Sequence, residues 1–108
     1  MSDEKIRPPA WWPKRERCAE LLPEAIARTF PAEARERVTA LLDRTYPLTR
    51  EEARIGLALV FLSEGDERRL RTDLVDGLRD WRDIILAAEN TRQNARRFFG
   101  WIEELDRA

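Results

Sequence analysis

The chain has 108 residues, of which 43% are hydrophobic and 38% charged. A chain of this length forms one domain and can bury roughly 65% of its unfolded surface, enough for a core. Twenty basic residues against 21 acidic leave a net charge of −1, which excludes whole-molecule attraction to nucleic acid or to an anionic membrane.

Single residue types narrow the chemistry further. There is no His, so the commonest general base and the commonest transition-metal ligand are missing. Cys18 is the only thiol, which removes an intramolecular disulfide and a Cys-based zinc site. It shares a helical phase with Leu21, Leu22 and Ala25 and reads as a core residue, with no His to activate it. Only Lys5 and Lys14 are lysines, and the other basic residues are Arg. A GC-rich genome produces that bias, and so does a surface of Arg–carboxylate pairs. Four glycines, none clustered, give no phosphate-cradling loop. The longest apolar run, Ile55 to Leu62, is too short to span a bilayer. The N-terminus lacks the apolar centre of a signal peptide. The expected setting is the cytoplasm, with no membrane contact and no cofactor.

In chain order, residues 1–9 are polar and end in Pro8-Pro9. We place a flexible arm over 1–12 and a helical bundle domain over 13–108. Pro13 suits a first helical position, giving a helix from there to about Leu22. Pro23 then restarts a second short helix to Phe30. Pro31 starts a third, whose apolar face is Ala34, Val38, Leu41, Leu42 and Tyr46, and Pro47 ends it. Thr49 to Glu52 spell a capping box. The helix after it carries Ile55–Leu62, apolar on nearly every side, and should be the central buried element. Gly65 is a natural stop and Asp66 a natural restart.

From there a seven-residue apolar register runs to the end without slipping. Its a/d sites are Leu70, Leu74, Gly77, Trp81, Ile84, Ala88, Thr91, Ala95, Phe98, Ile102 and Leu105. Such a seam buries itself against other helices, within the chain or in a second copy. The constant phase favours one helix of about forty residues, which would span ~60 Å. The poor helix formers Glu89 to Asn94, with Thr91 as a possible cap, favour a break near Asn90. No stretch alternates with period two, so the fold expected is all-α: about five helices in a single-domain bundle.

Three features could carry function. Asp73, Asp76, Asp80 and Asp83 form an acidic stripe. With Glu51 and Glu52 it could hold a divalent cation, as facing carboxylates do in some all-helical phosphohydrolases. It reads better as a solvated face laced with ion pairs such as Arg69–Asp73 and Arg79–Asp83. Arg92, Arg96 and Arg97 precede Phe98, Phe99 and Trp101, a pattern that can track phosphates and stack bases. Phe98 lies in the seam, however, and Phe99 beside it. Trp11 and Trp12, adjacent and therefore divergent, are of a residue type that anchors interfaces.

No enzyme motif emerges. The function expected is a small non-enzymatic protein–protein interaction module: an adaptor, an immunity or inhibitor-like protein, or an assembly subunit. Self-association is expected as a two-fold dimer on the seam, with Phe98, Trp101, Ile102 and Leu105 against the partner. Basic residues near the start of the last helix and acidic residues at its end oppose its dipole, and an antiparallel copy would match them. The alternative is a nucleic-acid-associated protein using Arg92–Arg97. A small metal-dependent nucleotide hydrolase is less favoured. Trp11, Trp12, Arg92, Arg96, Arg97, Phe98, Trp101, Ile102 and Leu105 are the interface candidates.

Overall fold

A computed structural model describes residues 8–45 and 53–107, and these are mainly helical with no strand among them. The helices are α1 (Arg15–Thr29), α2 (Ala32–Thr45), α3 (Ala53–Ser63), α4 (Glu67–Arg79), α5 (Trp81–Ile85) and α6 (Arg92–Arg107), with a π-helical turn at Leu86–Asn90 between the last two. The capping box at Thr49–Glu52 and Tyr46 fall outside the described residues.

α3 is the centre. Nine of its residues are buried, from Ala53 to Ser63. A helix apolar on all sides has to be surrounded, and α1, α4, α5 and the π turn all pack on it. The approach of α1 is the closest. A Cβ placed on Gly56 would sit 2.9 Å from Leu22 Cδ2. The Cα radius of gyration is 13.3 Å, the value of a compact domain of about 100 residues.

α1 corrects one expectation. Pro23 does not restart a helix; it lies inside one. Cys18, Leu21, Leu22, Ala25 and Ile26 are all buried and in one phase across it. Packing on both sides of the proline outweighs the ~3 kcal/mol that an interior proline costs. Pro23 itself is exposed, so its ring faces solvent and not the core. α2 begins after Pro31 as expected and buries Ala34, Val38 and Leu42 against α1.

The seam is three helices and a π turn, not one helix. The first break is at Asp80, in an extended conformation, whose carboxylate accepts from Arg82 N at 3.0 Å and so caps α5. The second is at Thr91, also extended, beside the Asn90 position expected for a break. Its hydroxyl accepts from Asn94 N at 3.2 Å and donates to Ala87 O at 3.0 Å. Along the register Leu70, Leu74, Ile84, Ala88, Ala95, Phe98, Ile102 and Leu105 are buried. The exposed members, Trp81 and Thr91, sit at the two breaks. Phase is kept because each segment turns its apolar side to the same core, not because the helix is continuous.

The folded part also begins earlier than residue 13. Trp11 and Trp12, assigned to the arm, pack on the hydrophobic core. Two turns hold them, Trp12 N donating to Pro9 O and Lys14 N to Trp11 O.

Candidate functional site

Three places on the molecule gather the residues that sequence alone marked out. The first is internal. The π turn puts Ala88 and Glu89 both inside. The Glu89 carboxylate receives two bonds from Arg54, Nε to Oε2 at 2.8 Å and a terminal nitrogen to Oε1 at 2.7 Å. Trp12 Nε1 donates to the same Oε1 at 3.1 Å. The Arg54 guanidinium lies 5.9 Å from the Trp12 ring centre, and its pKa is raised by the hydrogen bond to Glu89. A buried carboxylate with a forked Arg and an indole donor is satisfied. Trp12 also meets Phe98 and Phe99 edge-on, at 5.6 and 5.8 Å between centroids. This network ties the N-terminal segment, α3 and α6 together.

The second place is the far end of α6. Arg17 Nε donates to Asp106 Oδ1 at 2.6 Å, and another Arg17 nitrogen donates to the Asp106 carbonyl at 3.2 Å. Trp11 Nε1 donates to Asp106 Oδ2 at 3.2 Å. Glu103 pairs with Arg107, and Arg97 near the start of α6 pairs with Glu64. Of the charges that oppose the α6 dipole, Arg96, Arg97, Glu103 and Asp106 therefore have partners within the chain. These four are matched without an antiparallel copy.

The seam residues expected at a dimer interface are corrected in the same way. Phe98, Ile102 and Leu105 are 0%, 0% and 2% exposed in the single chain. α6 folds back on α1 and the π turn, which covers them. Phe98 and Phe99 cannot stack bases from inside the core. Arg96 is exposed and has an interaction of its own within the chain. The side chain of Arg92 and the burial of the seam residue Gly77 lie outside what the structure describes.

The third place is a surface cleft of about 330 Å³ lined by Thr29, Val60, Phe61, Glu64, Arg97 and Trp101. Phe61 and Trp101 are both partly exposed, with ring centres 5.6 Å apart. The Arg97 guanidinium lies 5.8 Å from the Phe61 ring centre. Its ion pair with Glu64 is long, 3.6 Å, and both side chains are more than half exposed. The α3–α4 turn forms a wall. Glu64 and Gly65 there both have positive φ, 52° and 83°. Two of the interface candidates, Arg97 and Trp101, thus share one concavity.

Sequence reasoning missed one group. Val75, Trp81 and Leu86 are 59%, 51% and 48% exposed, the large apolar side chains that stand out into solvent among the described residues. Trp81 was placed in the seam. The signal available was Asp80-Trp-Arg-Asp83, an N-cap followed by an acid in the first turn, which puts a helix start and a change of direction at the tryptophan.

The acidic stripe is divided by the same break. Asp80 turns its carboxylate to Arg82 Nε at 3.1 Å, and that bond lowers its pKa. The Arg79–Asp83 spacing straddles the break and has no helical meaning. Asp73 has its pKa raised by burial, with Arg69 opposing. Among the described residues no group of three or more Asp, Glu or Cys side chains is placed to hold a metal ion, and Glu51 and Glu52 lie outside them. No helix among the described residues is long and apolar enough to cross a membrane. No family model, curated protein or solved structure matches the chain.

Proposed function

We propose that the chain is a non-enzymatic helical protein–protein interaction module that offers the α4–α5 corner to a partner. The observation that carries this is Trp81, an indole half exposed on a molecule that buries its other large seam residues. Tryptophan is enriched among residues that dominate binding energy. Leaving an indole half in water forgoes burial of a large apolar area, and a partner that covers it recovers that term. Val75 and Leu86, on the flanking segments, are also large apolar side chains left exposed.

The test compares tagged wild-type chain with Trp81→Ser in extracts of the native host. Circular dichroism on both checks that the helices are intact. The expected result is a set of co-purifying proteins retained by the wild type and lost by the folded variant. An identical set on both chains overturns the reading.

A further inference from the structure

We propose that the cleft between Phe61 and Trp101 is the seat for Trp81 of a second copy, so that the chain associates with itself head to tail. The inference rests on the assignment of Trp81 as an interface residue and names its occupant.

The two surfaces complement each other in shape and polarity. An engineered cavity of about 150 Å³ holds a benzene ring, and the cleft here is about 330 Å³, room for an indole. Its floor is aromatic, and tilted or edge-on contacts with Phe61 and Trp101 suit an incoming indole. Arg97 stands over that floor and can face the indole π cloud as it now faces Phe61.

The charges match on both sides. The cleft rim carries one cation, Arg97, and one anion, Glu64, held together only by a long exposed pair. Such a pair contributes little and opens readily. Trp81 is flanked by Arg82 and Asp83, with Asp80 before it, all three at the surface or its edge. In one orientation Asp83 meets Arg97, while Arg82, whose Nε is held by Asp80, turns its terminal nitrogens to Glu64. The reverse orientation sets like charges against each other, which selects a single docking direction.

The two surfaces are not the same patch. Glu64 precedes α4 and Trp81 follows it, and the 13 residues of α4 put them ~20 Å apart along that helix. One chain cannot fill its own cleft. Unless two copies exchange it reciprocally about a two-fold axis, a contact between different patches is heterologous and grows into a ring or a filament.

Sedimentation velocity from micromolar to near-millimolar chain tests this with two surface variants, Trp81→Ser and Arg97→Glu. Both positions are exposed, and circular dichroism checks the fold. Wild type is expected to show assemblies larger than a dimer that dissociate as salt is raised. Each variant alone is expected to weaken association, by about thirtyfold for Trp81→Ser as at a binding hot spot. The two variants mixed supply one good cleft and one good indole. The mixture is expected to give a 1:1 dimer that grows no further. A wild type that stays monomeric throughout overturns the head-to-tail contact while leaving the partner reading to its own test. So does association lost in Trp81→Ser but unchanged in Arg97→Glu, which would place Trp81 against Trp81. So does a mixture no more associated than its parts.

Discussion

Cys18 shows how a single side chain is silenced by its surroundings. It has no exposed surface, and burial pushes its thiol up to about 11, with Glu89 adding to the rise and Arg54 opposing it. The thiolate is the reactive form. At neutral pH Cys18 is expected to resist a disulfide reagent in native buffer and to react at once in denaturant; a fast native reaction would mean that α1 opens locally. Asp73, half-buried, is shifted in the same direction. Burial raises its pKa above the unfolded value, so the folded state holds that proton more tightly. Its contribution to stability therefore grows as pH falls through the folded pKa, and at neutral pH the charged form is a cost. Asp73→Asn is expected to raise the melting temperature slightly at pH 7 and to lose that advantage in acid. Glu67 and Asp80, whose pKa values are lowered by Arg37 and Arg82, act in the other direction. The comparison must be between variant and wild type at each pH.

At the scale of elements, the α3–α4 turn is closely constrained. Gly65 has φ +83°, and a Cβ there would stand 2.8 Å from the Thr29 carbonyl oxygen. Ser63 Oγ donates to Val60 O and accepts from Gly65 N, and Asp66 Oδ1 caps α4 from Arg68 N. Gly65→Ala adds ~1–2 kcal/mol of left-handed strain and the contact with backbone as well. It is expected to lower the urea midpoint with the slope unchanged. This turn was legible in the sequence because glycine and aspartate mark it locally. So was α3, whose residues are apolar all round. The Asp80 break left only the short signal Asp80-Trp-Arg-Asp83, which was masked because one aspartate among four in an apparent stripe looks the same whether it caps a helix or faces water. Pro23 misled for the converse reason: a local breaker was overridden by packing on both sides. The interface candidates divided along the same line. Phe98, Ile102 and Leu105 carried a periodicity that says buried without saying against what. Arg97 and Trp101 came together with Phe61 and Glu64 only through the meeting of α3 and α6, a long-range contact that no local pattern encodes.

At the scale of the whole molecule, the chain closes on itself. Its N-terminal tryptophans and Arg17 reach Glu89 and Asp106, 77 to 95 residues away in sequence. α6 is held by these contacts at one end and by Phe61 and Glu64 at the other. The C-terminal seam is therefore a core element of one chain, and this fixes what a charge placed in it does. Ile102 has no exposed surface. Ile102→Asp removes its apolar contacts and strands a carboxylate in the interior, a loss of several kcal/mol. That is comparable with the 5–15 kcal/mol that holds a whole domain together. A seam that served a two-fold dimer would respond differently: the variant would remain helical and sediment as a folded monomer. Here Ile102→Asp is expected to lose helicity and cooperative melting together, at any chain concentration. Trp81→Ser, outside the core, is expected to keep both. Circular dichroism melts of the two variants at low and high concentration decide the matter. A helical, cooperatively melting Ile102→Asp chain would put the seam back at an interface between copies.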